Sequence, residues 1–185
     1  YIRKVVYHEM SAKDWSEFEV DYNLDLFRQQ PFLKYPILQC HARAFNLKFD
    51  LDETWLFKIK PKRLSPIVIN DTGKLRWEGI TVKWEYLEPY KKRCIFIGLP
   101  NEHSNFERDR FKIKHVKIKN SLEFAQIIKG SKLYVGNQST GLAIAEGLKH
   151  PRVADLYIGR SKQFPFGDDG YYRLNEDIIR RYVSV

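Results

Sequence analysis

The residues best suited to chemistry lie in two polar turns. Gly136, Asn137, Gln138, Ser139 and Thr140 follow the apolar run 133–135, and Asn70, Asp71, Thr72, Gly73 and Lys74 follow the apolar run 67–69. Each turn gathers backbone amides, an amide side chain and a hydroxyl at the end of a short buried strand. In the first, Ser139 stands where its hydroxyl can cap the helix that follows, and Gly136 lets the backbone bend without a Cβ clash. Open amides at such a helix start, aligned with the helix dipole, form an anion site able to hold a phosphate. The same spelling also serves any strand-to-helix crossover with a polar loop. A third pattern, Asp50-Leu51-Asp52, spells a metal-binding acidic pair, but its place in a turn before Trp55 reads as two capping carboxylates. No metal site is expected.

The elements that must position these turns alternate from residue 67 to 158. Short buried strands are expected at 67–69, 94–98, 133–135 and 153–158, with a lysine-bearing strand over 111–119. Between them fall helical stretches at 82–93, with Trp84, Leu87 and Tyr90 inward, at 100–110, with Glu102 near its start, and at 121–129, stopped by Gly130. Leu142, Ala145 and Leu148 share one face of the helix after Ser139, which ends at His150-Pro151. The tail 159–170 reads as loop and 175–181 as a last helix. This alternation predicts an α/β fold, a Rossmann-like parallel sheet of about five strands with helices on both faces. Ligands bind beyond the carboxyl ends of such strands, where residues 70–74, 98–102 and 136–140 all fall.

Residues 1–64 read as an accessory segment and 65–185 as the Rossmann-like domain with its tail. The first part is aromatic-rich and partly helical, with short helices expected at 14–18 and 24–29. A longer one is expected within 35–48, carrying Ile37, Cys40, Ala44 and Leu47 on one face. Its twelve aromatics over 1–60 need burial, so it is expected to cover the sheet or a protein partner.

The chain has 185 residues, enough for one domain and an accessory segment, and 43% of them are hydrophobic, too many for disorder. No apolar run approaches the ~20 residues that cross a bilayer, and charges in the first seven residues do not suit a signal peptide. With Tyr1 in place of an initiator Met, the chain reads as a fragment, a processed product or the ordered part of something longer. Cys40 and Cys94 lack metal-ligand spacing and read as reduced thiols, so a cytoplasmic location is expected. The formal charge is +9, and residues 1–60, with nine basic against nine acidic groups, contribute none of it. The lysines at 112, 114, 117 and 119 read first as protection of a sheet edge, with nucleic-acid binding as the lesser reading.

Residues 121–150 resemble the C-terminal half of GT-B glycosyltransferases of the ADP-heptose:lipopolysaccharide heptosyltransferase type. In that family a Leu-rich helix and an apolar strand lead to Gly-Asn-Asp-Ser-Gly at the start of a helix with a histidine in its first turn. Gly136, Asn137 and Ser139 match; Gln138 replaces the aspartate, Thr140 the second glycine, and Ala143 stands where the histidine would be. The resemblance covers about residues 65–158. It implies a first phosphate loop over 70–77 with Thr72 and Trp77 as matches, Glu102 as the base- or ribose-contacting acid, and Lys74, Arg76 and Lys132 as cations able to replace the histidine. It also implies a nucleotide-diphosphate sugar as donor substrate and no other cofactor. In the family, the N-terminal half supplies the acceptor site and a catalytic acid on a glycine-rich loop. Residues 1–60 contain no such loop, so the resemblance implies that residues 1–64 are the remnant of an acceptor domain, with a protein partner or a missing domain expected against them, and no catalytic residue is assigned.

Two functions follow. One is a glycosyltransferase that rests the donor phosphates on Gly136, Asn137, Gln138, Ser139, Thr140 and the Asn70, Thr72, Lys74 loop. The other is a catalytically inactive module of the same fold with a structural or interaction role in a larger assembly.

Overall fold

The computed structural model describes residues 26, 29–30, 37–48, 50, 52–72, 82–155, 165 and 167–183. The helices expected at 14–18 and 24–29 and the loop residues Gly73, Lys74, Arg76 and Trp77 fall wholly or mainly outside these.

Six parallel strands form one sheet: β1 (Ile67–Asn70), β2 (Cys94–Phe96), β3 (Lys114–His115), β4 (Leu133–Asn137), β5 (Arg152–Asp155) and β6 (Gly170–Tyr171). Their order across the sheet is β3-β2-β1-β4-β5-β6, the doubly wound Rossmann-like order. β1, β2, β4 and the first three residues of β5 are buried on both faces, as a parallel sheet requires, which is why these segments read as continuous apolar runs.

The sheet separates two cores by the two-residue alternation of its side chains. Ile67, Ile69, Phe96, Leu133, Val135 and Val153 face one side, under the 3₁₀ helix Trp84–Arg93, helix α2 (Pro100–Asp109) and helix α5 (Glu176–Val183). Trp84 meets Phe106 edge-on at 5.2 Å there. Val68, Ile95, Ile97, Tyr134 and Ala154 face the other side, under α3 (Ser121–Gly130) and α4 (Thr140–Gly147). The chain moves from β1 to β3 in one direction and from β4 to β6 in the other. With one hand of crossover throughout, that reversal puts the 3₁₀ helix and α2 on one face and α3 and α4 on the other, while α5, which follows the last strand, packs on the first face.

Residues 55–62 bind the second layer. Trp55 N and Leu56 N donate to Gly147 O at 3.0 and 2.8 Å, Lys62 N donates to Gln126 O at 2.8 Å, and Leu56 and Ile59 pack against the core beneath. Helix α1 (Ile37–Ala44) buries Cys40, but Leu47 is 57% exposed rather than on a buried face. The helix has already ended, and Asn46, with φ 51°, turns the chain away.

Four further expectations are corrected. The sheet gains a sixth strand, β6, from the stretch read as loop, because Arg152 N bonds to Asp169 O and holds residue 170 alongside β5. The lysine-bearing strand shrinks to two residues at the sheet edge, although Phe111 and Ile113 still alternate inward with Lys112 and Lys114 outward. The 82–93 stretch is a 3₁₀ helix, consistent with Pro89 inside it denying an amide to the α-helical ladder. Strand β4 continues through Gly136 and Asn137, which pair with Ala154 and Asp155, so the turn proper is only Gln138 and Ser139.

Candidate functional site at the carboxyl ends of β1 and β4

β1 and β4 are neighbours, yet their outgoing connections leave in opposite directions. A crevice at the carboxyl ends of such a pair is the position where doubly wound folds bind ligands. The two polar turns meet there, with Asn70 opposite Gly136 in the register.

Two buried amide side chains join them. Asn70, the last residue of β1, donates through Nδ2 to Ile97 O at 2.6 Å and accepts at Oδ1 from Ser139 Oγ at 2.6 Å and from Tyr134 OH at 3.4 Å. Asn137, the last residue of β4, accepts at Oδ1 from Thr72 N and Thr72 Oγ1 at 3.2 and 3.3 Å. Its Nδ2 donates to Thr72 O at 2.6 Å and Asp71 Oδ1 at 3.3 Å. Each carboxamide therefore ties the end of one central strand to its neighbours, and burial makes that pairing necessary.

Ser139 does not act as the sequence suggests. It occupies the N-cap backbone position of α4, with φ −147° and ψ 179°, but makes no side-chain cap. Its hydroxyl points across the crevice and donates to Asn70 Oδ1, a buried acceptor. Ser139 thus puts no side-chain oxygen on the first-turn amides of α4, while Gln138 is half-buried and Thr140 exposed. Gly136 answers to close approach rather than to a bend, since a Cβ there would overlap Asn70 O and the Tyr134 hydroxyl. Burial pushes the Tyr134 phenol well above its ordinary range.

Glu102 sits at the third position of α2, beyond β2, where its carboxylate accepts from Leu99 N at 2.7 Å. A Cβ placed on Gly98 would stand 2.8 Å from Glu102 Oε2 and 3.3 Å from Asn70 Nδ2, so Glu102 borders the same crevice. Lys132 does not. It precedes β4 and so lies at the opposite end of a five-residue strand, roughly 17 Å away at about 3.3 Å per residue. Lys74 lies outside the described residues.

Two acids stand in the crevice: Asp71, from the polar turn after β1, and Asp155, which was not singled out from the sequence. Asp71 is 1% exposed and receives Asn137 Nδ2, and Asp155, aligned with Asn137, accepts from Val82 N at 3.0 Å. The signal of Asp155 was positional, a lone charge inside the apolar run 153–158. Among the described residues no group of three His, Cys, Asp or Glu side chains could hold a metal ion. At the Asp50-Leu51-Asp52 pattern, Asp52 N donates to Asp50 Oδ1 at 2.8 Å, the local cap expected there. What the arrangement offers is a set of neutral donors, a helix start and bordering carboxylates, suited to positioning a polar ligand by hydrogen bonds. No helix among the described residues is long and apolar enough to cross a membrane. No protein-family model, curated protein or solved structure gives a match to the chain.

Proposed function

We propose that this crevice binds a nucleotide-diphosphate sugar and that the chain takes part in transferring the sugar to an acceptor. The observation that carries the reading is the joining of the Asn70–Thr72 and Asn137–Ser139 turns at the β1/β4 switch point, beside the start of α4, which the Ser139 side chain does not cap. A diphosphate held there would meet first-turn amides and the helix dipole, which favour negative charge without a metal. Glu102 borders the position a ribose would take, and the Gly136, Asn137 and Ser139 spelling is the part that resembles glycosyltransferases. Transfer chemistry rests on that resemblance alone.

A second reading has its own support. The hydroxyl of Ser139, the carboxamides of Asn70 and Asn137, and the carboxylate of Glu102 already have partners within the protein. That suits a sheet serving as a structural module in an assembly.

Titration calorimetry with ADP-, GDP- and UDP-sugars separates the two. Binding by the parent, weakened about tenfold by Asn137→Ala and about fivefold by Ser139→Ala, supports the donor site; the losses correspond to about 1.4 and about 1 kcal/mol. Absence of binding at millimolar ligand rejects it in favour of the module.

A further inference from the structure

A cluster of positive charge lies at the edge of the sheet opposite the crevice. Two open cavities lie there, of about 570 and 630 Å³, on either side of Leu64 and Ser65. Lys91, Lys92, Lys112 and Lys114 line the first, with Glu107 as its one acid, and Arg63, Lys129 and Lys132 line the second. All seven cations are exposed. They come from segments far apart in sequence: the lead into β1, the end of the 3₁₀ helix, the approach to and start of β3, the end of α3 and the approach to β4. Edge protection accounts for Lys112 and Lys114, which flank or lie on the edge strand, but not for the others. Among the described residues no acid forms an ion pair with Lys91, Lys92, Lys112 or Lys114, and the Glu107 carboxylate already accepts from Ile113 N at 3.1 Å.

Like charges this close repel, and a polyanion relieves that repulsion while releasing its own counterions. We propose that this face binds nucleic acid through its phosphate backbone. No aromatic side chain lines either cavity, so bases have nothing to stack on and a duplex is the better fit than a single strand. The same lining offers only Leu64 as an exposed large apolar side chain, too little to anchor in a bilayer. The proposal is independent of the crevice at the other end of the strands.

Fluorescence anisotropy of the full chain with a labelled 20-base-pair DNA duplex tests it between 50 and 200 mM salt. Binding should be micromolar at 50 mM salt, with log K falling against log salt at a slope of about −4 to −6, as four to seven phosphate contacts give at about −0.9 each. Lys112→Glu with Lys114→Glu, and Lys129→Glu with Lys132→Glu, should each lower affinity at least tenfold with an unchanged thermal midpoint. Lys83→Glu with Arg173→Glu makes the same change in net charge away from this face and should lower it less than threefold. Exchanging the duplex sequence should alter affinity less than threefold. The proposal is overturned by no binding at 50 mM salt, by equal losses in all three pairs, by a tenfold sequence preference, or by binding to vesicles with 30% phosphatidylserine in place of the duplex.

Discussion

The packing beneath the crevice can be tested through Gly141, the second residue of α4. In an ordinary helix Gly→Ala stabilises by up to about 1 kcal/mol, because alanine loses less backbone freedom on folding. Here the added methyl would run into the Tyr134 hydroxyl first, then stand 2.9 Å from Phe124 Cζ and 3.0 Å from Asn70 Oδ1. Tyr134 is fully buried and packed against α3 and α4, so it has little room to retreat. Overpacking of this kind costs about 1–3 kcal/mol, which outweighs the propensity gain and leaves Gly141→Ala destabilised by about 1–2 kcal/mol. Tyr134→Phe removes the nearest obstacle. Alone it should cost about 1 kcal/mol or less, since its hydrogen bond to Asn70 is long at 3.4 Å and Asn70 Oδ1 keeps Ser139. The double variant should therefore be more stable than the sum of the two losses predicts, by about 1–2 kcal/mol. Urea unfolding of the four proteins, with equal m-values, measures that coupling. Additivity within about 0.5 kcal/mol, or a stabilised Gly141→Ala, would refute the account of how Tyr134 sets the floor of the crevice.

Three other outcomes are expected. Burial, with the Arg152 charge as a smaller cause, lowers the His150 pKa from 6.5 to about 4, although Asp169 acts the other way. The unfolded chain then takes up a proton that the folded chain refuses. Stability present above pH 6.5 is lost as pH falls toward 4, by about 3 kcal/mol, and His150→Gln should flatten that part of the denaturation profile; an unchanged slope would count against it. Arg152, 1% exposed, donates through Nε to Glu146 Oε2 at 2.6 Å, so Glu146→Leu should cost about 3–5 kcal/mol by taking that carboxylate from a buried guanidinium. A loss under about 1 kcal/mol in chemical denaturation would contradict it. Burial pushes the Cys94 thiol up to about 12, and Cys40 is wholly buried. Neither should react with a thiol reagent at pH 8 until denaturant is added; reaction of either within seconds in the native protein would show the site to be open.

Local pattern alone carried the fold class. Parallel strands buried on both faces must be apolar throughout, so Ile67, Val68 and Ile69, or Leu133, Tyr134 and Val135, announce themselves without knowledge of their neighbours. Helix faces at Leu142 and Ala145 and the stop at Gly130 are equally local, whereas the helix after Ser139 ends at Gly147, short of the expected His150-Pro151, and Lys149 with φ 48° turns the chain. The two polar turns were legible as turns because each follows such a strand. Their meeting at one crevice depended on the order of strands, which places β4 beside β1 although 62 residues separate Asn70 from the start of β4. The bonding inside the crevice was not legible at all. Ser139 has the spelling of a cap, but tertiary packing brings Asn70 within 2.6 Å of its hydroxyl, and the rotamer that donates to Asn70 Oδ1 does not put the oxygen on the amides of its own helix. β6 escaped notice because two residues carry too little periodicity to mark a strand, and only pairing with β5 makes them one. The net charge could be counted from the sequence, but the positive cluster at the amino edge required chain segments from residue 63 to residue 132 to fold together. Hydrophobic period and turn chemistry are set by neighbours along the chain, whereas strand order, side-chain partners and surface charge are set by neighbours in space.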